Sequence, residues 1–549
     1  MELEIRTLSS LQKVYPDSAP QESGLCSACM LQNEFYSYQI AVCSHAGPDD
    51  GLNGGRLNAK VSLSSPAADA VTLRRVGYVP SQLPAYKDHD ENVERTAPGL
   101  FPDPLFPLDG SGLYGTEECW HSLWITVDSR KLAPGRYPIS VTITNGQDEK
   151  KSRTADFEIE VLAALPEKQR LIYTNWFHAD CLYTHYGVEP FSEEHWRILN
   201  NFMTLAASRG MNMILTPLFT PPLDTAVGGE RPDIQLVKVS ETESGYAFDF
   251  SRLARWMDLA GACGIEYFEM SHLFTQWGAK HAPKILIGGK KVFGWHTDAS
   301  SEEYQTFLKQ FLPALDRFFE ERGCCDKIYF HVSDEPAIEH MEAYAKASGA
   351  IREILGDKYP IVDALSNYDF YKTGLVTTPI PSSDHFKTFY ENGVDGDLWT
   401  YYCCGQYQKV ANRFFSMPSA RNRILGFQLY QYNIKGFLQW GYNFWYSQFS
   451  LSEIDPYLTT DAGGAFPSGD AFTVYPGKGG TAVASLRMEV FCEAIQDMNA
   501  LYALENRIGR EKTLALLREG DRPITMEEYP KDPDWILKKR AQINRLLTE

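Results

Sequence analysis

Positive charge is scarce in this chain. Its 549 residues carry 52 lysines and arginines against 71 aspartates and glutamates, a formal net charge of −19 at pH 7. That balance argues against a nucleic-acid backbone or an anionic membrane surface as partner, since both are polyanions. Long apolar runs are missing too, and no stretch approaches the roughly 20 residues of a membrane-spanning helix. The N-terminus, Met1-Glu2-Leu3-Glu4-Ile5-Arg6, has no basic segment leading into an apolar one, so no signal peptide is expected. The 11 cysteines are odd in number and irregularly spaced, with doublets at Cys324-Cys325 and Cys403-Cys404. Such spacing reads as reduced thiols in a cytoplasmic protein, not as a disulfide framework.

Familiar chemical signatures are equally absent. The chain has no G-x-S-x-G elbow, no H-E-x-x-H and no G-x-x-x-x-G-K-[ST] loop. Cys26-x-x-Cys29 lacks the second pair that a zinc site needs, and His178, His272 and His331 have no ligand spacing. No metal and no cofactor are expected. Gly288-Gly289-Lys290-Lys291 reads as a hairpin turn.

What the chain does have is apolar and aromatic material. A 44% apolar composition over this length is ample for two or three domains, and 11 tryptophans and 30 tyrosines suit stacking against sugar rings as well as large cores. Residues 1–165 look all-β. Trp120–Asp128 and Tyr137–Ile143 have strand composition around a Pro134-Gly135 turn, and Ala155–Val161 alternates cleanly, which predicts a β-sandwich. From about residue 166 to 510 strands alternate with helices. Strand candidates are Leu171–Phe177, Met211–Phe219, Ile265–Leu273, Lys327–Val332, Tyr359–Ser366, Val376–Ser382, Asp397–Cys404 and Gly436–Trp445. Helices are expected over Ser192–Arg209, Phe250–Cys263, Ser301–Arg322, Ala337–Leu355, Asn412–Asn433 and Ala484–Glu505. Eight such units predict a (β/α)8 TIM-type barrel. The Gly-, Pro- and Asp-rich segment 455–482 is long enough to wall a site. Residues 511–549 read most simply as a helical surface extension.

One stretch organises this reading. Lys327-Ile328-Tyr329-Phe330-His331-Val332 runs as a strand straight into Ser333-Asp334-Glu335-Pro336. In barrels of this type chemistry sits where strands end, and carboxyl groups are the minimum equipment for acid–base work on a glycosidic bond. The same residues also suit a helix start, an N-cap acid followed by proline. Other strand ends favour a carbohydrate cleft: Asn175 after the first, His272 after the third, Tyr401 on the seventh, and Trp440, Asn443 and Trp445 on the eighth. Rings offer apolar faces to a pyranose, and amides and hydroxyls fix its oxygens. Neighbouring residues of a strand point to opposite faces, so Asp334 and Glu335 can share a site only where the strand breaks. Adjacent acids fit poorly as the usual acid-and-nucleophile pair. They fit better a reaction in which the 2-acetamido group of an N-acetylhexosamine attacks C1 while one acid holds its N–H and the other protonates the leaving oxygen.

The Ser333-Asp334-Glu335-Pro336 segment resembles glycoside hydrolase family 123, the β-N-acetylgalactosaminidases, and the wider DUF4091 domain proteins. Phe101-Pro102-Asp103-Pro104-Leu105-Phe106-Pro107 is similar to their N-terminal signature. Trp124–Val127 with Pro134–Tyr137 resembles their sandwich strand pair, and Gly469–Gly477, Ser485–Glu489 and Gln496-Asp497 resemble the C-terminal block. The last helix departs, reading Val490-Phe491-Cys492-Glu493-Ala494-Ile495 where the family carries an Arg and a Gly. The resemblance implies a sandwich followed by a barrel, and a retaining, substrate-assisted exo-glycosidase needing no metal. Glu335 would be the general acid/base and Asp334 would orient the acetamido group, with an oligosaccharide or glycan as substrate.

Overall fold

The structure, a computed structural model, describes residues 2–45, 56–108, 112–146, 151–520 and 522–549. Ten strands come first: β1 (Glu2–Ser9), β2 (Ser27–Met30), β3 (Phe35–His45), β4 (Arg56–Ser64), β5 (Val71–Ser81), β6 (Gly99–Pro107), β7 (Gly112–Thr116), β8 (His121–Asp128), β9 (Gly135–Asn145) and β10 (Ser152–Val161). They form two five-stranded sheets, β1-β3-β8-β5-β6 and β2-β10-β9-β4-β7. All ladders are antiparallel except β10 with β2. Alternation explains the packing. Leu123, Ile125 and Val127 of β8 meet Ile139, Val141 and Ile143 of β9 and Phe157 and Ile159 of β10 inside the sandwich. The intervening Trp124 belongs instead to the core shared with the second unit.

That second unit contains eight short parallel strands. They are β11 (Ile172–Asn175), β12 (Met213–Thr216), β13 (Tyr267–Met270), β14 (Ile328–Phe330), β15 (Val362–Ala364), β16 (Thr378–Ile380), β17 (Trp399–Tyr401) and β18 (Gly436–Gln439). Each lies inside an apolar run read from the sequence, and each is shorter than its run. Six of them form one curled sheet in the order β14-β13-β12-β11-β18-β17, while β15 and β16 pair only with each other. Single parallel bridges, Phe330 to Ile361 and Ser382 to Tyr401, link that pair to β14 and β17. The ladder is therefore continuous over six strands and interrupted twice. Alternate residues of these strands, among them Leu215, Tyr329, Val362, Trp399, Tyr401 and Leu438, make a separate inner cluster with Trp176, the residue after β11.

Helix starts follow their caps. Ser192, Ser301 and Ser485 each accept a backbone N–H at the head of Glu193–Ser208, Glu302–Arg322 and Leu486–Ile508. Gly288 and Gly289, both at positive φ, turn the hairpin between Ile285–Ile287 and Lys290–Phe293. Two expectations need correction. The predicted helix over Asn412–Asn433 exists only as Ser419–Arg423 and Leu425–Gln431. Pro418 disfavours helix in the residue before it, and buried Arg413 reaches the Gly441 and Asp470 carbonyls instead (2.7 and 2.9 Å). The C-terminal helix, Pro533–Leu546, is no surface appendage, because it buries Ile536 and Ile543. Its Arg540 bonds both Asp497 on the long helix (2.9 Å) and Glu34 of the sandwich.

Ion pairs close the seam between the two units. Arg487 holds Asp103 of β6 through two hydrogen bonds (2.9 and 2.8 Å), and Glu489 accepts from Arg74 of β5 (2.7 Å) and Arg209 (3.0 Å). No helix among the described residues is long and apolar enough to cross a membrane.

Candidate active site

Beyond Phe330 the chain leaves strand geometry. Trp277 donates its N–H to the Asp334 carbonyl (3.1 Å) and the Ser333 hydroxyl donates to the Thr275 carbonyl (2.9 Å), stitching the loops after β13 and β14 together. Glu335 then adopts φ +44°, a left-handed conformation uncommon for any residue but glycine. This break lets two neighbours of opposite parity line one cavity of about 230 Å³. The helix-start alternative fails. The next helical turn, Ile338–His340, follows Ala337 with no side-chain cap from either acid, and the α-helix begins only at Met341.

The cavity has an aromatic and acidic lining. Trp176, Tyr401 and Trp440 come from strand ends, while Asp224, Trp277, Phe449 and Phe466 come from loops. Trp440 is held by Asp470 (Nε1 to Oδ2, 2.9 Å), and Trp277, an exposed residue, stands edge-on to Phe449. Asp224, Trp277 and Phe449 share positive φ with Glu335. Strain of this kind persists where the surroundings over-determine it. Here the Asp224 N–H bonds the Gln276 side chain (2.7 Å) and its carboxylate accepts the Phe449 N–H (3.0 Å), so three loops lock one another.

Tyr401 donates its hydroxyl to Glu335 Oε1 (2.6 Å), with Cys403 Sγ 4.0 Å from the same oxygen. Burial pushes Asp334 well above the usual carboxylate range, and the charges of Glu335 and Asp363 add to the rise. Glu335 is raised as well, by burial first, with the Tyr401 bond opposing and Asp384 adding. Glu335 is nonetheless exposed along the open cleft, so its rise becomes complete only when a substrate displaces water from around it. Asp224 is lifted by burial to about 6, against the Phe449 N–H and Arg231. Adjacent carboxyl groups resist double ionisation, so Asp334 and Glu335 titrate as a pair.

Beneath this floor lies a polar layer. His331, Glu269 and Asp363 are fully buried, as is His272. The His331 Nε2 bonds Glu269 Oε1, and its Nδ1 faces Asp363 Oδ1 at 3.8 Å, an ion-pair distance rather than a hydrogen bond. Glu269 also accepts from Trp176 Nε1 and Thr174 Oγ1 (both 2.7 Å). His272, His331 and Asp363 are the one group of three among the described residues whose donor atoms come within 4.8 Å of one another. The two imidazoles are stacked face to face (centroids 4.3 Å apart, planes 25° apart). Their in-plane lone pairs run side by side and do not converge, which ill suits a shared ion.

Of the residues expected at the cleft, Asp334, Glu335, Tyr401 and Trp440 line it. Four others lie outside it. Asn175 has the wrong parity on β11, so its neighbour Trp176 faces the cavity while Asn175 lies within hydrogen-bond reach of Tyr173 and Thr473 (both 3.4 Å). His272 is stacked below the floor. Asn443 braces the His178 backbone at both its N–H and its carbonyl (2.8 and 2.9 Å), and buried Trp445 donates to the Val474 carbonyl (3.2 Å). Asp224, Gln276, Trp277, Phe449, Cys403, Cys404 and Phe466 were not singled out as site residues. For Asp224, an acid shortly after an apolar strand run was the available signal. Segment 455–482 does supply a wall through Phe466. A second cavity, of about 330 Å³ between loops 220–231 and 281–296, has its cations committed, Arg231 to Asp180 and Lys284 to Asp233 (2.7 and 2.6 Å).

Residues 176–504 match the family described as Glycoside hydrolase 123, catalytic domain. The fold is similar to a family 123 glycoside hydrolase from Clostridium perfringens described in terms of glycolipid glycan hydrolysis. Identity is 17% and the TM-score 0.76, over 99% of this chain and 98% of that one. A putative glycoside hydrolase from Bacteroides vulgatus aligns over 87% of this chain and 78% of its own at 10% identity, with a TM-score of only 0.33. No curated protein matches the sequence.

Proposed function

The chain belongs to glycoside hydrolase family 123, and from that premise we propose that this glycosidase removes terminal β-linked N-acetylgalactosamine from a glycan with retention of configuration. The observation that carries the reading is the pair Asp334–Glu335, brought onto one cavity wall by the left-handed turn at Glu335. The 2-acetamido oxygen attacks C1 and the C1–O bond to the aglycone breaks. Glu335 gives its proton to the departing oxygen, and Asp334, ionised, accepts the acetamido N–H. The oxazolinium so formed is opened at C1 by water, which Glu335, now a carboxylate, deprotonates. Two inversions give net retention. Trp176, Trp277 and Trp440 would stack on the sugar.

We further read the six- and two-stranded sheets as one (β/α)8 barrel closed through the bridges at Phe330 and Ser382, within units spanning 1–165, 166–510 and 511–549. Eleven free cysteines support a reducing, cytoplasmic setting. The substrate class follows the glycolipid glycan hydrolysis described for the Clostridium perfringens relative. The test is release of nitrophenol from the β-N-acetylgalactosaminide, with the first-formed sugar followed by NMR. We expect the β-anomer first and no release from the plain β-galactoside. An α first product or turnover of the galactoside sinks substrate assistance, and preference for the N-acetylglucosaminide changes the sugar but not the reaction.

A further inference from the structure

We infer that Asp224 is the residue that recognises the far edge of the sugar, its carboxylate accepting the O3 and O4 hydroxyls of the terminal N-acetylhexosamine. The inference rests on the reading above, in which Asp334 holds the acetamido group at C2 and Glu335 the leaving oxygen at C1. Those two contacts fix one edge of a pyranose and leave its other hydroxyls to be met. Hydroxyls buried in a closed site need partners, because each one left unpaired costs binding.

Most polar groups of the cavity are already engaged. Trp176 donates its Nε1 to Glu269 (2.7 Å), and Trp440 donates its own to Asp470 (2.9 Å). Tyr401 donates to Glu335 (2.6 Å), and the Gln276 amide spans the Asp224 N–H (2.7 Å) and the Thr225 carbonyl (3.1 Å). Among the described lining residues, Asp224 is the one carboxyl group beyond the acid pair. Its Oδ2 takes the Phe449 N–H (3.0 Å), and no described residue bonds its Oδ1. Burial lifts the group only to about 6, so at neutral pH it is a carboxylate, and it can accept but not donate.

Its position selects the hydroxyls. Gln276 and Trp277 are consecutive: the first bonds the Asp224 N–H, and the second donates its N–H to the Asp334 carbonyl (3.1 Å). Asp224 therefore flanks Asp334, while Glu335 turns to Tyr401 on β17. With C1 at Glu335 and C2 at Asp334, the next positions round the ring are C3 and C4, whose hydroxyls are close enough for one carboxylate to accept both. The grip is set in advance. Asp224 is locked at φ +37° by bonds to its N–H, its carboxylate and its carbonyl, the last from the Ser450 hydroxyl (2.8 Å). Little freedom is lost when the sugar arrives.

The test crosses Asp224→Ala with the 3-deoxy and 4-deoxy forms of the aryl β-N-acetylgalactosaminide. In the wild type each deletion should lower kcat/KM at least about tenfold, the reach of a hydrogen bond to a charged group. In Asp224→Ala the same deletions should cost less than about threefold, because the partner has gone. A merely displaced loop would slow all three substrates alike and leave the ratios as in the wild type. Asp224→Asn, whose amide oxygen can still take the Phe449 N–H, serves if the alanine variant does not fold. Unchanged ratios in a folded variant overturn the inference, as does a wild type indifferent to both deletions. Turnover of neither N-acetylhexosaminide removes the reading and the inference together. An enzyme that cleaves the plain β-galactoside as fast as the acetamido sugar, with ratios that still collapse in Asp224→Ala, would sink substrate assistance alone and leave the role of Asp224 standing.

Discussion

The seam between sandwich and catalytic unit and the floor of the cleft are both buried and polar, yet they are built to opposite rules. At the seam each carboxylate described above meets a guanidinium: Asp103 with Arg487, Glu489 with Arg74 and Arg209, Asp497 with Arg423 and Arg540. At the floor, carboxyls crowd others of like sign. There the His331 Nδ1, the Asp363 Oδ1 and both nitrogens of His272 are buried without a hydrogen-bond partner. Matched charges give geometry, and mismatched ones give reactivity, since perturbed ionisation is what acid–base catalysis uses. The contrast also sorts the family-like segments. Asp103 of the N-terminal signature, Arg487 and Glu489 of the C-terminal block, and Gln496, which bonds Phe35 through both its amide atoms, all land on the seam. Of the family-like segments, Ser333–Pro336 lines the cavity through Asp334 and Glu335, and Gly469–Gly477 supports it, through Asp470 on Trp440.

The contrast can be broken from either side. Glu335→Gln should lower kcat/KM on a natural glycan by about 10²- to 10⁴-fold, the usual reach of a general acid, with much of the loss recovered on an aryl glycoside of low leaving-group pKa. Its thermal midpoint should stay near wild type. Arg487→Ala should do the reverse. Asp103 would be left buried and unpaired, at a cost of about 3–5 kcal/mol read from urea unfolding, with kcat of the folded fraction retained.

Acid separates the regions by pH. Burial would raise Glu489, but Arg209 and Arg74 hold it at about 2, below its ordinary 4.5. A depressed carboxyl stabilises the fold above its unfolded value and ceases to do so as pH falls through the folded one. About 3 kcal/mol should therefore be lost between roughly pH 5 and pH 2, in urea midpoints taken across that range. The smallest effect belongs to Tyr401→Phe. Losing a donor to the ionised form raises Glu335, so the acid stays protonated longer and the alkaline limb of kcat/KM should move up by about one pH unit.

Much of the scaffold was legible in the chain. Apolar runs marked all eight strands, and the expected helix starts at Ser192, Ser301 and Ala484 fell within one or two residues of the observed ones, because periodicity and capping are local. The acid pair was legible for the same reason, as a strand that stops at two carboxylates. What escaped was set by distant contacts. Arg413 keeps its segment extended by bonding carbonyls of two other loops, which no local pattern reveals. Parity decided between Asn175 and Trp176, and composition alone could not choose between them. The loop residues Asp224, Trp277 and Phe449 face the cavity through left-handed backbone that other loops impose.

The two single bridges beside β15 and β16 have a mechanical consequence. Where neighbouring strands share a full ladder, the backbone fixes their spacing. Here the single bridges Phe330–Ile361 and Ser382–Tyr401 fix it at one point each and leave the rest to side chains. Ala364, at the end of β15, forms part of the cavity wall, so the gauge of the cleft on that side rests on packing and on three backbone bonds, Phe330 N–H to Pro360, Tyr401 N–H to Pro381 and Ser383 N–H to Tyr401 (3.0, 3.1 and 2.9 Å). Enlarging or trimming Val362 or Ile380 would thus resize the pocket while leaving the six-strand ladder untouched.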